Sequence, residues 1–164
     1  MTEVLTRPTS PFHRVHAGGA SYWGPGDLYT WLVTGEESDG AYFAMHAVVP
    51  PNGGPPPHIH TKEDETFYVL EGTPTFRLDD DVFIARPGDF VNVPKGTLHN
   101  FRNDSDQPIR MILTFTPAGI EKFFEECLER AWDITQECPD NLAEVGARYA
   151  EAGPRYGMEF HPDA

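Results

Sequence analysis

The chain is short of positive charge. Lys and Arg number 12 against 26 Asp and Glu, giving a formal net charge of −14 at pH 7 over 164 residues. A nucleic-acid partner needs a basic footprint on the protein, and no Lys/Arg cluster is present, so that class is excluded. Polybasic attraction to anionic membranes is excluded by the same shortage. Long apolar runs are also missing. None approaches the roughly 20 residues of a membrane helix, and the opening MTEVLTRPTS lacks the apolar stretch of a secretion signal. Cysteine is scarce: Cys127 and Cys138 are the only two, and a reduced intracellular pair is expected in preference to a disulfide. The expected location is the cytoplasm. Tandem repeats and low-complexity linkers are absent, and the length suits a single domain over residues 1–164 with its own core.

What the chain does have is aromatic residues (12%) and abundant turn formers, with 15 Gly and 16 Pro. These punctuate short β-prone runs at nearly regular spacing: 28–34, 41–50, 65–72, 75–78, 82–85, 89–93, 99–103 and 109–115. Such spacing argues for an all-β sandwich or barrel over about 28–116. Residues 1–27 read as an irregular lead-in with Trp23 as a packing anchor. After Thr116-Pro117 the period changes. Ile120, Phe123, Phe124, Cys127 and Leu128 fall at helical spacing, so 119–135 is expected to be an amphipathic helix with a solvated acidic face. A second helix is expected over 140–152, with Asp140 as N-cap and Gly153-Pro154 as its stop. Both helices, in an extension over about 118–153, are expected to lean on the outside of the β unit, and the tail 155–160 to pin the chain end.

The chemistry-bearing pattern lies among seven histidines. His58 and His60 form H-x-H after the turn GGPPP. On a strand, residues i and i+2 share a face, so the two imidazoles converge. Glu65 opens the next apolar run, and His99 follows the turn Pro94-Lys95-Gly96. Three imidazoles and a carboxylate suit one divalent transition metal, whether Mn, Fe, Co, Ni, Cu or Zn. A metal preferring five or six ligands keeps positions open for water, substrate or O2, as a working site requires. His46, alone in an apolar strand, reads as structural. His13, His16 and His161 read as solvated, and Asp79-Asp80-Asp81 as a hairpin turn without the oxygen spacing of a calcium loop. Phe67, Phe101 and Met111 share the inward parity of their strands and are the candidate substrate-pocket residues.

The spacing of these residues resembles the two motifs of the cupin superfamily. GGPPPHIHTKEDETFYVLEG (53–72) follows G-x5-H-x-H-x4-E-x6-G at His58, His60, Glu65 and Gly72, with Asn52 where the leading glycine belongs. GDFVNVPKGTLHNFRN (88–103) matches G-x5-P-x-G-x2-H-x3-N throughout, at Gly88, Pro94, Gly96, His99 and Asn103. Fifteen residues separate Gly72 from Gly88, as in compact single-domain cupins. The lead-in SYWGPGDLYTWLVTG (21–35) and the exit TPAGIEKFFEE (116–126) further resemble the quercetinases, the flavonol dioxygenases of this superfamily.

The resemblance implies an all-β fold, a cupin-type jelly-roll barrel with C-terminal α-helices. It also implies a homodimer, since cupins commonly dimerise and sheet edges invite pairing. It implies a metal held by His58, His60, Glu65 and His99, with Glu65 as catalytic base, and a dioxygenase that cleaves a small hydroxylated aromatic, flavonol or enol substrate with O2. Two other activities are compatible with the same residues: a non-redox isomerase, lyase or hydrolase on a sugar or keto acid, and a cupin that binds a small molecule without chemistry.

Overall fold

The computed structural model describes residues 10–164. Strands form where apolar and polar residues alternate, and they end where Gly, Pro or Asp turns the chain. In order they are β1 (Ser21–Trp23), β2 (Leu28–Val33), β3 (Phe43–Val49), β4 (His58–His60), β5 (Asp64–Glu71), β6 (Thr75–Leu78), β7 (Asp81–Ile84), β8 (Phe90–Val93), β9 (His99–Arg102) and β10 (Ile109–Thr116). After these come α1 (Glu121–Cys127), β11 (Glu129–Arg130), α2 (Leu142–Ala152), a 3-10 turn (Gly153–Tyr156) and β12 (Met158–Phe160).

The strands make two antiparallel sheets that face each other as a jelly-roll barrel. One has seven strands in the order β11-β1-β2-β3-β10-β5-β8, the other five in the order β12-β4-β9-β6-β7. In β10, Ile109, Met111, Leu113 and Phe115 are buried while the residues between them are not. That alternation fixes register, because a slip of one residue would turn the apolar set outward. Phe43, Phe67, Phe76 and Met111 are almost fully buried between the sheets. Burial of side chains of this size contributes about 1.5–3 kcal/mol each, so the barrel is held by its own apolar interior. The cupin-motif glycine that this chain replaces by Asn52 has a visible role: Asn52 sits at φ 65°. Asparagine is among the few non-glycine residues that adopt this left-handed conformation readily.

The C-terminal third departs from its sequence pattern. The helix expected over 119–135 ends at Cys127, because Leu128 turns extended at φ −105°, ψ 154°. Glu129 and Arg130 then pair with Trp23 and Tyr22 at the edge of the larger sheet. The edge strand's open hydrogen-bonding groups thereby gain partners, which outweighs the continuing helical period. Glu121 is not on a solvated face. It is buried, and its carboxylate accepts from the Gly35 and Gly119 backbone N–H groups. The second helix begins at Leu142, with Asn141 rather than Asp140 in the cap position. α2 leans on the outside of the β unit: Val145, Tyr149 and Ala152 are buried while most of the helix is exposed, and Leu142, Gly146, Tyr149 and Ala150 border a cavity.

Trp31, not Trp23, anchors the lead-in. It is 2% exposed, stacks on Tyr22 at 4.7 Å and meets Phe43 edge-on at 4.9 Å. The tail forms β12, paired to β4 with Met158 opposite His60 and Phe160 opposite His58. Cys127 and Cys138 are free thiols. No helix among the described residues is long and apolar enough to cross a membrane.

Candidate metal centre

The smaller sheet brings two parts of the sequence side by side. β4 and β9 pair antiparallel with His58 opposite His99. His58 and His60 are buried on one face of β4, with half-buried Ile59 between them. Glu65 comes from the other sheet, at the second position of β5, where it is buried with Phe67 and Val69. His58, His60, Glu65 and His99 therefore meet across the barrel interior, with ligand atoms all within 4.8 Å of one another. Two ligands on opposite sides of one ion at 2.0–2.2 Å stand about 4.2 Å apart, so the cluster has the size of a single coordination sphere.

The hydrogen bonds around the imidazoles fix which nitrogen faces inward. His58 Nδ1 lies 2.9 Å from the Pro56 carbonyl, and His99 Nδ1 lies 2.9 Å from the Thr97 carbonyl. A carbonyl only accepts, so each Nδ1 carries a proton, and Nε2 is the nitrogen left to face inward as a potential ligand. His99 Nε2 is 2.9 Å and His60 Nε2 3.3 Å from Glu65 Oε2. On its other side, His60 Nδ1 faces Glu63 Oε2 at 3.6 Å, and neither of these buried atoms has a hydrogen-bond partner. His60 and His99 are thus flanked by acceptors at both ring nitrogens, an arrangement that calls for a cation between the rings and Glu65. A divalent metal ion fits that place by donor type, number and spacing.

The acidities tell the same story. Burial works against the His60 cation, yet the Glu63 and Glu65 carboxylates push its pKa up to about 9. Burial, then repulsion from His99 and His60, pushes His58 down to about 3 and keeps it a neutral donor. Burial also acts to raise Glu65, but hydrogen bonds and charge from His60 and His99 reverse this and hold it well below the usual carboxylate range.

Beside this cluster lies a cavity of about 560 Å³. Phe67 and Phe101 line it, together with Met45, Leu113 and Phe115. Met111 is fully buried but lies in the core and does not line the cavity. Sequence reasoning missed Glu63, although it shares its alternation with Glu65. It also missed Tyr29 and Tyr149, which line the cavity but sit in segments read as wall and outer helix. His46 is half-buried on the opposite face of β3, in a separate surface cavity with Arg110 and Glu71.

Comparison with known proteins places these features. Residues 45–115 match the cupin domain family. The chain is 32% identical over 97 residues to a quercetin 2,3-dioxygenase of Bacillus subtilis, covering 59% of this chain and 28% of that protein. It is 31% identical over 117 residues to a quercetin 2,3-dioxygenase of Aspergillus japonicus, covering 66% of this chain and 33% of that protein. The chain thus spans no more than about a third of the length of these relatives. A crystal structure described as a predicted oxalate decarboxylase from Thermotoga maritima superposes with a TM-score of 0.58 at 17% identity, over 64% of this chain and 99% of that one, a likeness of fold. Residues 45–115 thus carry a cupin domain, and the barrel sequence resembles that of quercetin 2,3-dioxygenases.

Proposed function

We propose that the protein is a metal-dependent dioxygenase that opens a small hydroxylated aromatic or enol substrate of the flavonol type with O2. The observation that carries this reading is the position of three imidazoles and one carboxylate beside a cavity walled by Phe67, Phe101, Phe115 and Leu113. Aromatic and aliphatic walls suit a flat ring system, whereas a polyhydroxylated sugar would need more polar partners than these walls supply. The resemblance to two quercetin 2,3-dioxygenases supports the same substrate class.

A bound divalent metal supplies Lewis acidity toward a coordinated substrate hydroxyl. The chain's own groups do the rest. His58 and His99 keep Nε2 facing inward through the carbonyls of Pro56 and Thr97. Glu65, kept ionised by its imidazole neighbours, is the base that takes the hydroxyl proton. Phe67, Phe101 and Phe115 exclude water from the deprotonated substrate, whose electron-rich ring then reacts with O2.

The test mixes metal-loaded protein with quercetin under argon, admits air, and follows flavonol absorbance together with carbon monoxide release. Loss of absorbance with carbon monoxide, dependent on air, is the expected result. If neither appears with Mn, Fe, Co, Ni or Cu, the flavonol reading is wrong. Turnover of another substrate without oxygen would replace it with non-redox chemistry at the same centre.

A further inference from the structure

Outside the ligand set, polar side chains rarely meet the cavity. Among its lining residues these are Tyr29, Tyr149 and, in the loop after β3, Asn52. Tyr29 comes from β2 and donates its hydroxyl proton to Asp27 Oδ2 at 2.8 Å. Asp27 is 2% exposed, and its second oxygen, Oδ1, has no hydrogen-bond partner. The hydroxyl of Tyr149, which arrives from α2, is equally buried and equally unpartnered. Tyr29 and Tyr149 line the same cavity, and Asp27 stands directly behind Tyr29.

Leaving a buried polar atom unsatisfied is costly, and native proteins keep few of them without a ligand, a water or a function. The Tyr149 hydroxyl is such an atom on a residue that walls an otherwise apolar cavity, and Asp27 Oδ1 is another, on the residue that holds the Tyr29 hydroxyl. The backbone around them is shaped to match. A Cβ at Gly24 would sit 2.6 Å from the Tyr29 ring, and one at Gly53 would sit 2.7 Å from Val49 and 3.3 Å from Asp27 Oδ1. Glycine at both positions lets Tyr29 and Asp27 occupy this corner together.

We propose that Tyr29 and Tyr149, with Asp27 orienting Tyr29, form a second polar subsite in the cavity that binds a substrate hydroxyl other than the one held at the metal centre. The Tyr29 proton is committed to Asp27, so its phenol oxygen offers a lone pair to a donor. Tyr149 has both a free donor and a free acceptor. Each phenol can thus hydrogen-bond a hydroxyl of a molecule in the cavity. Resting on the flavonol reading above, this narrows the substrate to polyhydroxylated aromatics whose outlying hydroxyls contribute to binding. Tyr29 and Tyr149 touch substrate, while Asp27 is a positioning residue that acts through Tyr29.

The test compares two probes with the same metal-binding head: quercetin, which carries further hydroxyls, and 3-hydroxyflavone, which does not. Dissociation constants are measured with zinc-loaded protein under argon from the flavonol absorbance shift. Wild type is expected to favour quercetin. Tyr29→Phe and Tyr149→Phe are each expected to lower the ratio of the two affinities about fivefold, the worth of one net hydrogen bond, with 3-hydroxyflavone binding unchanged. Asp27→Asn is expected to lower the ratio less, a selective effect that mere loss of structure would not produce. Each variant removes or exchanges few atoms, and its zinc stoichiometry reports whether the barrel is intact. If wild type binds both probes and neither tyrosine variant moves the ratio, the subsite is wrong and the flavonol reading stands. If wild type binds neither probe, the flavonol reading fails and the subsite with it. A ratio unchanged in Asp27→Asn but lowered in Tyr29→Phe removes Asp27 from the proposal.

Discussion

Glu65 lines the cavity and Asp27 stands behind Tyr29, which also lines it; both carboxyl groups are buried, and their acidities move in opposite directions. Burial outweighs the hydrogen bond from Tyr29 at Asp27, and its pKa is pushed up to about 7. Glu65 suffers the same burial, yet His60 and His99 hold it well below the usual carboxylate range. The interior is therefore hostile to an isolated charge, and an ionised carboxylate survives there only when cationic partners surround it. Of its imidazole partners, His60 is itself pushed up to about 9 by the Glu63 and Glu65 carboxylates. With His58, His60 and His99 neutral, as ligands must be, the carboxylates of Glu63 and Glu65 face them in a buried space. A divalent ion balances them, which is the electrostatic reason this end of the cavity suits such an ion while the Asp27 end does not.

The largest effect should come from removing a partner that makes the two ends differ. His99→Ala deletes one ligand and the 2.9 Å contact to Glu65. Metal affinity should fall by more than about a hundredfold, beyond the range seen for outer-shell changes. Elemental analysis after dialysis should then show little metal, while circular dichroism shows the β-barrel retained, since the core is apolar. Glu63→Gln keeps the shape of the side chain but removes the charge facing His60 Nδ1 at 3.6 Å. A loss of about 10–100-fold in metal affinity is expected, measured by competition with a chelating dye. Unchanged affinity in Glu63→Gln would mean that His60 is oriented by packing alone and that Glu63 plays no part in the charge balance.

Much of the ligand end is legible in the sequence because strand geometry is local. Alternation places His58 with His60, Glu65 with Phe67, and His99 with Phe101, and motif spacing joins the three pairs. The polar corner at Asp27 is not legible in that way. Asp27 lies in a turn with no periodic signal, Tyr29 looks like any aromatic in a buried strand, and Tyr149 belongs to a helix whose apolar stripe gives no sign of what it covers. Tyr149 joins the cavity wall only when α2 docks on the barrel, a long-range event. The early end of α1 has a similar origin. The helical spacing of Trp132 and Ile134 suggests continuation, but Trp132 is 86% exposed. The open edge of β1 captures Glu129 and Arg130 instead.

A smaller, pH-dependent effect sharpens the contrast at the Asp27 end. The unfolded chain releases the Asp27 proton near its ordinary value of 3.8, whereas the folded protein keeps it up to about 7. Between these values the unfolded state binds fewer protons, so the Asp27 contribution makes stability fall as pH rises. The slope approaches about 1.4 kcal/mol per pH unit at most. Asp27→Asn abolishes this titration. Urea unfolding at pH 4, 5.5 and 7 should show a decline in wild type that is shallower in Asp27→Asn. Parallel pH profiles would show that Asp27 is ionised inside the fold, and the contrast with Glu65 would collapse.

The smallest effect concerns a histidine with carboxylate and guanidinium neighbours but no shared focus. His46 lies half-buried on the outer face of β3, near Arg110 and Glu71, which pair with each other at 3.1 Å where solvent reaches both. Burial first, then repulsion from Arg110 and His16, lowers its pKa. Here the carboxylate already has a guanidinium partner and water, so no further cation is called for. His46→Ala should leave metal stoichiometry unchanged and alter stability by no more than about 0.5 kcal/mol, as is usual for substitutions outside a packed core. Elemental analysis and urea unfolding read both quantities on one sample. A metal loss as large as that of His99→Ala would show that imidazole chemistry alone, without convergence inside the barrel, recruits the ion.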